Sequence, residues 1–398
     1  MLFPLPNEVR FIIEEYEKHG HSAHVVGGPV RDYLLGIAPH DYDLTTDATP
    51  EQTKEIFSDF RIIETGIRHG TVTLLLSGIP YEITTYRIDG EYLDNRHPEQ
   101  VTFTRSLSDD LSRRDFTVNA MAYAPRDGIV DLFCGKEDLK NRVLRTVGMP
   151  TDRFREDALR ILRALRFASV LGFSIEKGTA NAISECAPLM KNLAVERISE
   201  ELIKLFDGKH AVSVMHEYAE PLAVVLSELS PAFATIERLP TLPDTLSRAE
   251  AFAARLAYLA FLSSLNGDAL RALCERLHTS REVRELSAML LTHLADPIET
   301  DYDLLVLLKS TSPSALKIML CIKNTSEEKR ERALCRLESL LEQNAAYRIG
   351  DLAIGGAELL RFGISGKDVG VTLTRLLDAV MRGRVKNERD ALISYLNL

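Results

Sequence analysis

The run Gly27-Gly28-Pro29-Val30-Arg31-Asp32, followed at Asp41 by Asp41-Tyr42-Asp43-Leu44, decides how the chain is read. The apolar residues His24-Val25-Val26 ahead of it predict a short strand that the two glycines close. Pro29 sits where a helix begins, a position that tolerates proline because its N–H has no partner within the helix. A glycine turn feeding a helix start favours phosphate, since free backbone N–H groups and the helix dipole point at it. Asp41 and Asp43 fall two apart in a second strand-like run, so both carboxylates are expected on one face of a sheet. Such a pair suits a divalent cation, and the two features together predict metal-assisted chemistry on a phosphate.

The 398 residues, 45% hydrophobic and 27% charged, fit a globular protein of more than one domain. No apolar run reaches the about 18 residues of a membrane span. The start Met1-Leu2-Phe3-Pro4 lacks the basic opening of a signal peptide, so a cytoplasmic location is expected. Five scattered cysteines without Cys-x-x-Cys spacing argue against zinc and against a disulfide framework. A net charge of −10 weighs against a nucleic-acid partner, although a local basic stripe can act within an acidic chain.

Strand-like runs lie almost wholly in the first part: 23–26, 42–46, 61–64, 71–76, 81–86, 101–103 and 129–133. Helices are predicted between them over 8–19, 29–35 and 50–57, the last opened by Thr49-Pro50 with Gln52 behind. From about residue 150 apolar residues recur at three-to-four spacing, with helices predicted at 157–171, 180–189, 196–206, 249–265, 281–294, 313–321, 328–343 and 371–381. The expected fold class is therefore α+β: a head built on a mixed β-sheet flanked by helices, then an elongated, all-α remainder. Leu239-Pro240-Thr241-Leu242-Pro243 reads as a joint between helical parts.

Three further clusters carry chemistry. Glu82 lies in the alternating strand 81–86 with Thr84 and Tyr86 on its face, either as a third carboxylate or as an ordinary solvent-facing residue. His40-Asp41 has no second His/Asp pair to complete a phosphohydrolase centre, so His40 is read as a loop residue. Arg113-Arg114-Asp115-Phe116-Thr117-Val118-Asn119-Ala120 offers guanidinium forks shaped to grip a triphosphate, the alternative being a solvated turn.

The segment from Arg155 to Arg166, with Asp157, Arg160, Arg163 and Arg166, is predicted to lie on one helix. Its plain account is a salt-bridged exposed face. Its sharper account is base recognition. A carboxylate accepts from the exocyclic amine of cytosine or adenine while an arginine donates to the adjacent ring nitrogen. Guanine and uracil present a carbonyl and a ring N–H there, which would leave the carboxylate unsatisfied.

The Gly-Gly-x-Val-Arg-Asp turn, the Asp41-x-Asp43 pair, the Arg113–Ala120 motif and Glu156-Asp157-x-x-Arg160 resemble those of the class II tRNA nucleotidyltransferases, in the superfamily shared with bacterial poly(A) polymerases. The likeness is strong over about residues 20–206 and weaker onward to Arg382-Gly383-Arg384-Val385-Lys386-Asn387-Glu388, which is similar to the family's tail.

The resemblance implies a template-free polymerase that adds C, C and A to tRNA 3′ ends from CTP and ATP with Mg2+. It implies that Asp41 and Asp43 hold the metals; Glu82, from its place on the strand 81–86, is the candidate that would join them in the catalytic set. Gly28, Arg31 and Arg114 would bind the nucleotide near its triphosphate, and Asp157, Arg160, Arg163 and Arg166 would form or support the base-reading side. It also implies a head over 1–145, a neck over 146–206, a helical body over 207–300 and a tRNA-binding tail over 301–398, with no protein partner. Arg382, Arg384 and Lys386 are the candidate RNA contacts, joined by Arg375, Arg389 and the glycine turns at Gly355-Gly356 and Gly363–Gly366.

Within the family, the segment Arg87–Pro98, with its Tyr92-x-Asp94-x-Arg96-His97-Pro98 pattern, is similar to that of enzymes adding all three nucleotides. An A-adding enzyme and a poly(A) polymerase stand as the alternatives.

Overall fold

The structure is a computed structural model that describes residues 3–39, 41–89, 101–323 and 326–396. It divides into two compact units, residues 1–230 and 231–398.

The first unit is built on a seven-stranded sheet in the order β3-β4-β5-β2-β1-β8-β9. Helix α1 (Asn7–Lys18) leads into β1 (Ala23–Val26), and α2 (Gly28–Leu34) follows at once. Then come β2 (Leu44–Thr46), α3 (Pro50–Ile56), β3 (Arg61–Ile63), β4 (Thr71–Leu76) and β5 (Ile79–Thr85). A separate ladder joins β6 (Arg87–Asp89) to β7 (Val101–Phe103), and α4 (Leu107–Ser112) precedes β8 (Met121–Ala124) and β9 (Gly128–Asp131). Helix α3 opens with a capping box between Thr49 and Gln52 and a proline in its first turn, as its sequence predicts.

The sheet is mixed, because β2 pairs β5 in parallel while its other pairings are antiparallel. The parallel register sets Leu44 beside Ile83, so Asp43 and Glu82 each stand one position ahead of a matched pair.

Two strand expectations need correction. The run predicted over 42–46 begins only at Leu44, so Asp41 and Asp43 lie in the segment leading into β2, although the Asp43 carbonyl still accepts from Val26 N–H at 3.0 Å. Strand β8, paired to β1, has no counterpart in the sequence reading. Met-Ala-Tyr-Ala holds no β-branched residue and is buried throughout, so it shows no alternation.

Beyond the sheet come α5 (Gly135–Asn141), β10 (Val143–Leu144), α6 (Pro150–Glu156), α7 (Leu159–Leu171), β11 (Ser174–Ile175), α8 (Lys177–Cys186) and α9 (Val195–Asp207). The parallel pair β10–β11 brings a short strand, β11, into a stretch expected to be all-α. The stretch 155–166 predicted to lie on one helix is broken: α6 ends at Glu156, Asp157 behind it has an extended φ of −140° and ψ of 102°, and α7 starts afresh at Leu159, two residues inside the helix expected over 157–171. Helices α10 (Ala211–Glu217) and α11 (Ala219–Ala223) complete the first unit, and α12 (Ser230–Thr235) starts at the division.

The second unit is helical throughout its described residues. It contains α13 (Arg248–Leu262), α14 (Gly267–Arg276), α15 (Arg281–His293), α16 (Asp301–Ser310), α17 (Pro313–Lys323) and α18 (Glu327–Glu342), then α19 (Gly356–Arg361), α20 (Lys367–Met381) and α21 (Arg389–Tyr395). Its core is drawn from α13, α15, α16 and α17, where residues such as Leu256, Ala257, Leu290, Leu304 and Met319 are fully buried.

Candidate active site

The turn after β1 positions the phosphate side. Gly27 has a φ of 77°, a region costly for any residue with a Cβ. A Cβ there would also stand 3.3 Å from Arg114 Nη1. The glycine thus admits the guanidinium to the mouth of α2. Arg31, on that helix, donates from Nη1 to Asn119 Oδ1 (2.7 Å) and from Nε to Asp32 Oδ1 (2.8 Å).

Arg114 and Arg113 converge on one fully buried carboxylate, Asp110. Arg113 donates to its Oδ1 from Nε (3.0 Å) and Nη2 (2.6 Å); Arg114 Nη2 reaches Oδ2 at 3.3 Å. Thr45 Oγ1, from β2, donates to the same Oδ2 at 3.2 Å. Burial pushes the Asp110 carboxyl up, but the two arginines outweigh it and hold it below the usual value. One carboxylate thus serves two guanidiniums, which leaves net positive charge facing the cleft.

Asp43, Glu82, Thr84, Arg87, Arg113 and Arg114 line a cavity of about 230 Å3. Asp43 is open to solvent, yet its carboxyl stands above the usual range: desolvation by the surrounding protein raises it first, then Glu82 and Asp41, against the pull of Arg114. Carboxylates set close to one another in this way suit a divalent ion, which would relieve their repulsion. Among the described residues no three His, Cys, Asp or Glu are gathered closely enough to hold a metal by themselves.

The base-reading candidates surround a second cavity of about 270 Å3, lined by Arg113, Arg114, Asp115, Asp157, Arg160 and Arg163 among others. Asp157 and Arg160 are brought together there, but their side chains are not paired with each other. Asp157 caps the Leu159 N–H (3.0 Å) and takes Arg197 Nη2 at 2.8 Å. Arg160 donates to Glu156 Oε2 (2.7 Å) and to the Arg113 carbonyl (3.0 Å).

Arg163 grips Asp115 Oδ2 with Nε (2.9 Å) and Nη2 (2.6 Å). Burial pushes the Asp115 carboxyl up, but Arg163 and Arg160 outweigh it and bring it down to about 2. Arg166 lies 3.9 Å over the Phe167 ring and 2.7 Å from Glu201. Burial lowers it to about 10, still cationic at neutral pH. The plain reading of this helix as an exposed salt-bridged face is thus corrected, since Arg160 is 8% exposed and its partners are buried or half-buried.

Sequence reasoning missed Asp110, Asp115, Arg197 and Glu201 as parts of the site. The signal available was charge balance. Arginines on a helix with apolar neighbours need buried carboxylates, and Glu201 lies on the buried face of the amphipathic α9. His40 and residues 90–100, including most of the segment read as the nucleotide-adding loop, lie outside the described residues.

Arg382, by contrast, is spent within the fold. It pairs with Asp378 (2.9 Å), donates to the Tyr302 hydroxyl (2.8 Å) and lies 4.0 Å over that ring. Lys386 and Arg384 are solvent-facing or nearly so.

Family models match three stretches: the poly A polymerase head domain over residues 23–145, an RNA and SrmB-binding site of polymerase A over 172–220, and tRNA nucleotidyltransferase domain 2 over 251–396. The CCA-adding enzyme of Lactobacillus delbrueckii subsp. bulgaricus is 39% identical over 392 residues, covering 97% of this chain and 96% of that one. The chain belongs to the CCA-adding enzyme family.

The family's enzyme from Enterococcus faecalis is 35% identical, covering 99% of this chain and 97% of its own. The crystal structure of the Bacillus stearothermophilus CCA-adding enzyme in complex with CTP superimposes with a TM-score of 0.77 at 31% identity, covering 98% of this chain and 96% of that one. Nucleotidyl transfer in this family depends on a divalent metal.

Proposed function

We propose that the chain adds C, C and A in turn to the 3′ end of tRNA, taking CTP and ATP and releasing pyrophosphate, without a template. The observation that carries the reading is the meeting, around Arg113 and Arg114, of a carboxylate cavity and a cavity lined by Asp157 and Arg160. One can place a triphosphate and its metal; the other can read a base.

Asp41 and Asp43 would hold Mg2+, with Glu82 as a third carboxylate of the centre. The metal supplies activation of the attacking 3′ hydroxyl and neutralises charge on the leaving pyrophosphate. Arg114, held by Asp110, and Arg31, held by Asn119, bind the triphosphate, with Gly28 giving it backbone room at the start of α2. To select a base, Asp157 accepts from the N4 amine of cytosine or the N6 amine of adenine while Arg160 donates to the neighbouring ring nitrogen. Arg197 holds the Asp157 carboxylate in place meanwhile through a 2.8 Å ion pair. Arg163 and Arg166 support that wall through Asp115 and Glu201.

We read residues 1–145 as the head, 146–206 as the neck, 207–300 as the body and 301–398 as the tail, with tRNA carried by the helical parts; of the three tail candidates, Arg384 and Lys386 are kept as contacts, while Arg382 is already bound to Asp378 and Tyr302. No described helix is long and apolar enough to cross a membrane. As an enzyme acting on tRNA, the chain is placed by this reading in the cytoplasm.

The test uses tRNA transcripts ending before CCA, after C and after CC, with Mg2+ and with CTP and ATP given singly and together. Completion of the first two transcripts only with both nucleotides, and of the CC-ended one with ATP alone, is expected. Addition to the CC-ended transcript alone would make the chain an A-adding enzyme, and long A tails a poly(A) polymerase.

A further inference from the structure

A cavity of about 490 Å3 in the second unit is lined by Lys323, Lys329, Arg332 and Arg336, with Glu299 as its one acidic wall residue. Four cations around one cavity stand out in a chain whose net charge is −10. Lys329, Arg332 and Arg336 recur at three and four residues along α18, which puts them on one helix face. Buried Ala333 and Leu337 seat that stretch of the helix against the unit. Lys323 closes α17 beneath them.

The charges are incompletely answered. Arg336 pairs with Asp301 (2.8 Å) and donates to the Glu299 carbonyl (3.0 Å). Arg332 pairs with Glu328, but both side chains are about three-quarters exposed, at 74% and 73%, so water screens the bond and exchange costs little. Lys323 donates to the Asp296 carbonyl and makes no ion pair among the described residues. It is half-buried, and desolvation draws its ammonium below the ordinary lysine value although Asp296 and Glu299 pull the other way. Lys329 likewise has no ion pair among the described residues. An anion entering here would meet two unpaired ammonium groups and one loosely held guanidinium.

We propose that this cavity binds the sugar–phosphate backbone of the RNA substrate. The inference rests on the reading of tRNA as that substrate. Guanidinium forks and lysine ammonium groups suit phosphate oxygens, and contacts of this kind position a folded RNA without reading its bases. The cavity also supplies what Arg382 does not, since that guanidinium is already bound to Asp378 and Tyr302.

The experiment compares the full chain with its Lys329→Gln/Arg332→Gln variant, whose substituted side chains are on the exposed part of α18. Filter binding of a tRNA transcript lacking CCA is followed across a salt series, beside KM for CTP and ATP. A tRNA Kd raised about tenfold, with the slope of log Kd against log salt reduced by about 1.5, is expected. Nucleotide KM should not move. Lys323→Gln, tested alone, should weaken tRNA about threefold.

Unchanged tRNA affinity and slope in both variants would overturn the proposal. So would saturation of the cavity by inorganic phosphate or free CTP, lost in the double variant while tRNA affinity stays intact, because that marks a site for a small phosphorylated ligand. If the unaltered chain neither binds nor extends tRNA, the functional reading itself fails, an outcome separable from the other two.

Discussion

The two cavities that meet at Arg113 and Arg114 are built on opposite electrostatic plans. On one side Asp43, Glu82 and Asp41 crowd carboxylate against carboxylate, and Asp43 stays above its usual range. On the other side the charges are matched in advance: Asp157 with Arg197, Arg160 with Glu156, Arg163 with Asp115 and Arg166 with Glu201. On the proposed function the difference separates two tasks. The corner proposed to capture a cation sets its carboxylates close to one another. The wall proposed to judge a base holds its donors and acceptors in fixed geometry, and a ligand has only to match them.

The sharpest way to break the contrast is to empty the carboxylate corner. Asp41→Ala with Asp43→Ala should lower the rate of nucleotide addition at least about 1,000-fold while circular dichroism stays unchanged. A loss of only tenfold would remove both residues from the metal role.

The matched wall should answer differently, in stability first. Asp115→Asn leaves the half-buried Arg163 with only Glu201, 3.9 Å away, to answer its charge and should cost about 2 kcal/mol, read as a lower urea midpoint. Acid should reach the same pair. Because the folded Asp115 carboxyl sits at about 2, below its unfolded value, its contribution is complete above about pH 4. It should be lost as pH falls toward 2, on the order of 2 kcal/mol, and an acid titration of Asp115→Asn should lack that component.

A smaller effect tests selection. Asp157→Asn can still accept but also donates, so preference for CTP and ATP over GTP and UTP should fall about 100-fold, with kcat for CTP reduced much less. The smallest effect belongs to Arg197→Gln. Asp157 keeps its Leu159 cap, so KM should rise about threefold for both nucleotides with selectivity preserved. Equal losses from Asp157→Asn and Arg197→Gln would mean that their ion pair is a structural brace.

How much of this was legible in the sequence depends on the range of the interaction. The Gly27–Asp32 turn, the capped start of α3 and the change from strands to helices near residue 150 are written in local chemistry, and the α+β expectation holds. Strand β8 was not legible, because Met121–Ala124 is defined by burial between β1 and β9 and has no propensity of its own. The break at Asp157 was hidden by an unbroken apolar periodicity, which carries no sign that a side chain will cap Leu159. The partners Arg197 and Glu201 lie some forty residues from the arginine-rich helix, so only folding pairs them with Asp157 and Arg166.

Asp110 gives the two cavities something further in common. Its Oδ2 receives Thr45 of β2, two residues past Asp43, and Arg114 of the nucleotide side. A displacement of β2 therefore carries the arginine with it. In an instrument this would be called common-mode rejection: both parts drift together, and the gap between them stays constant. On the proposed function, the spacing from the carboxylate corner to the triphosphate arginine is then referenced to one buried carboxylate that both sides share.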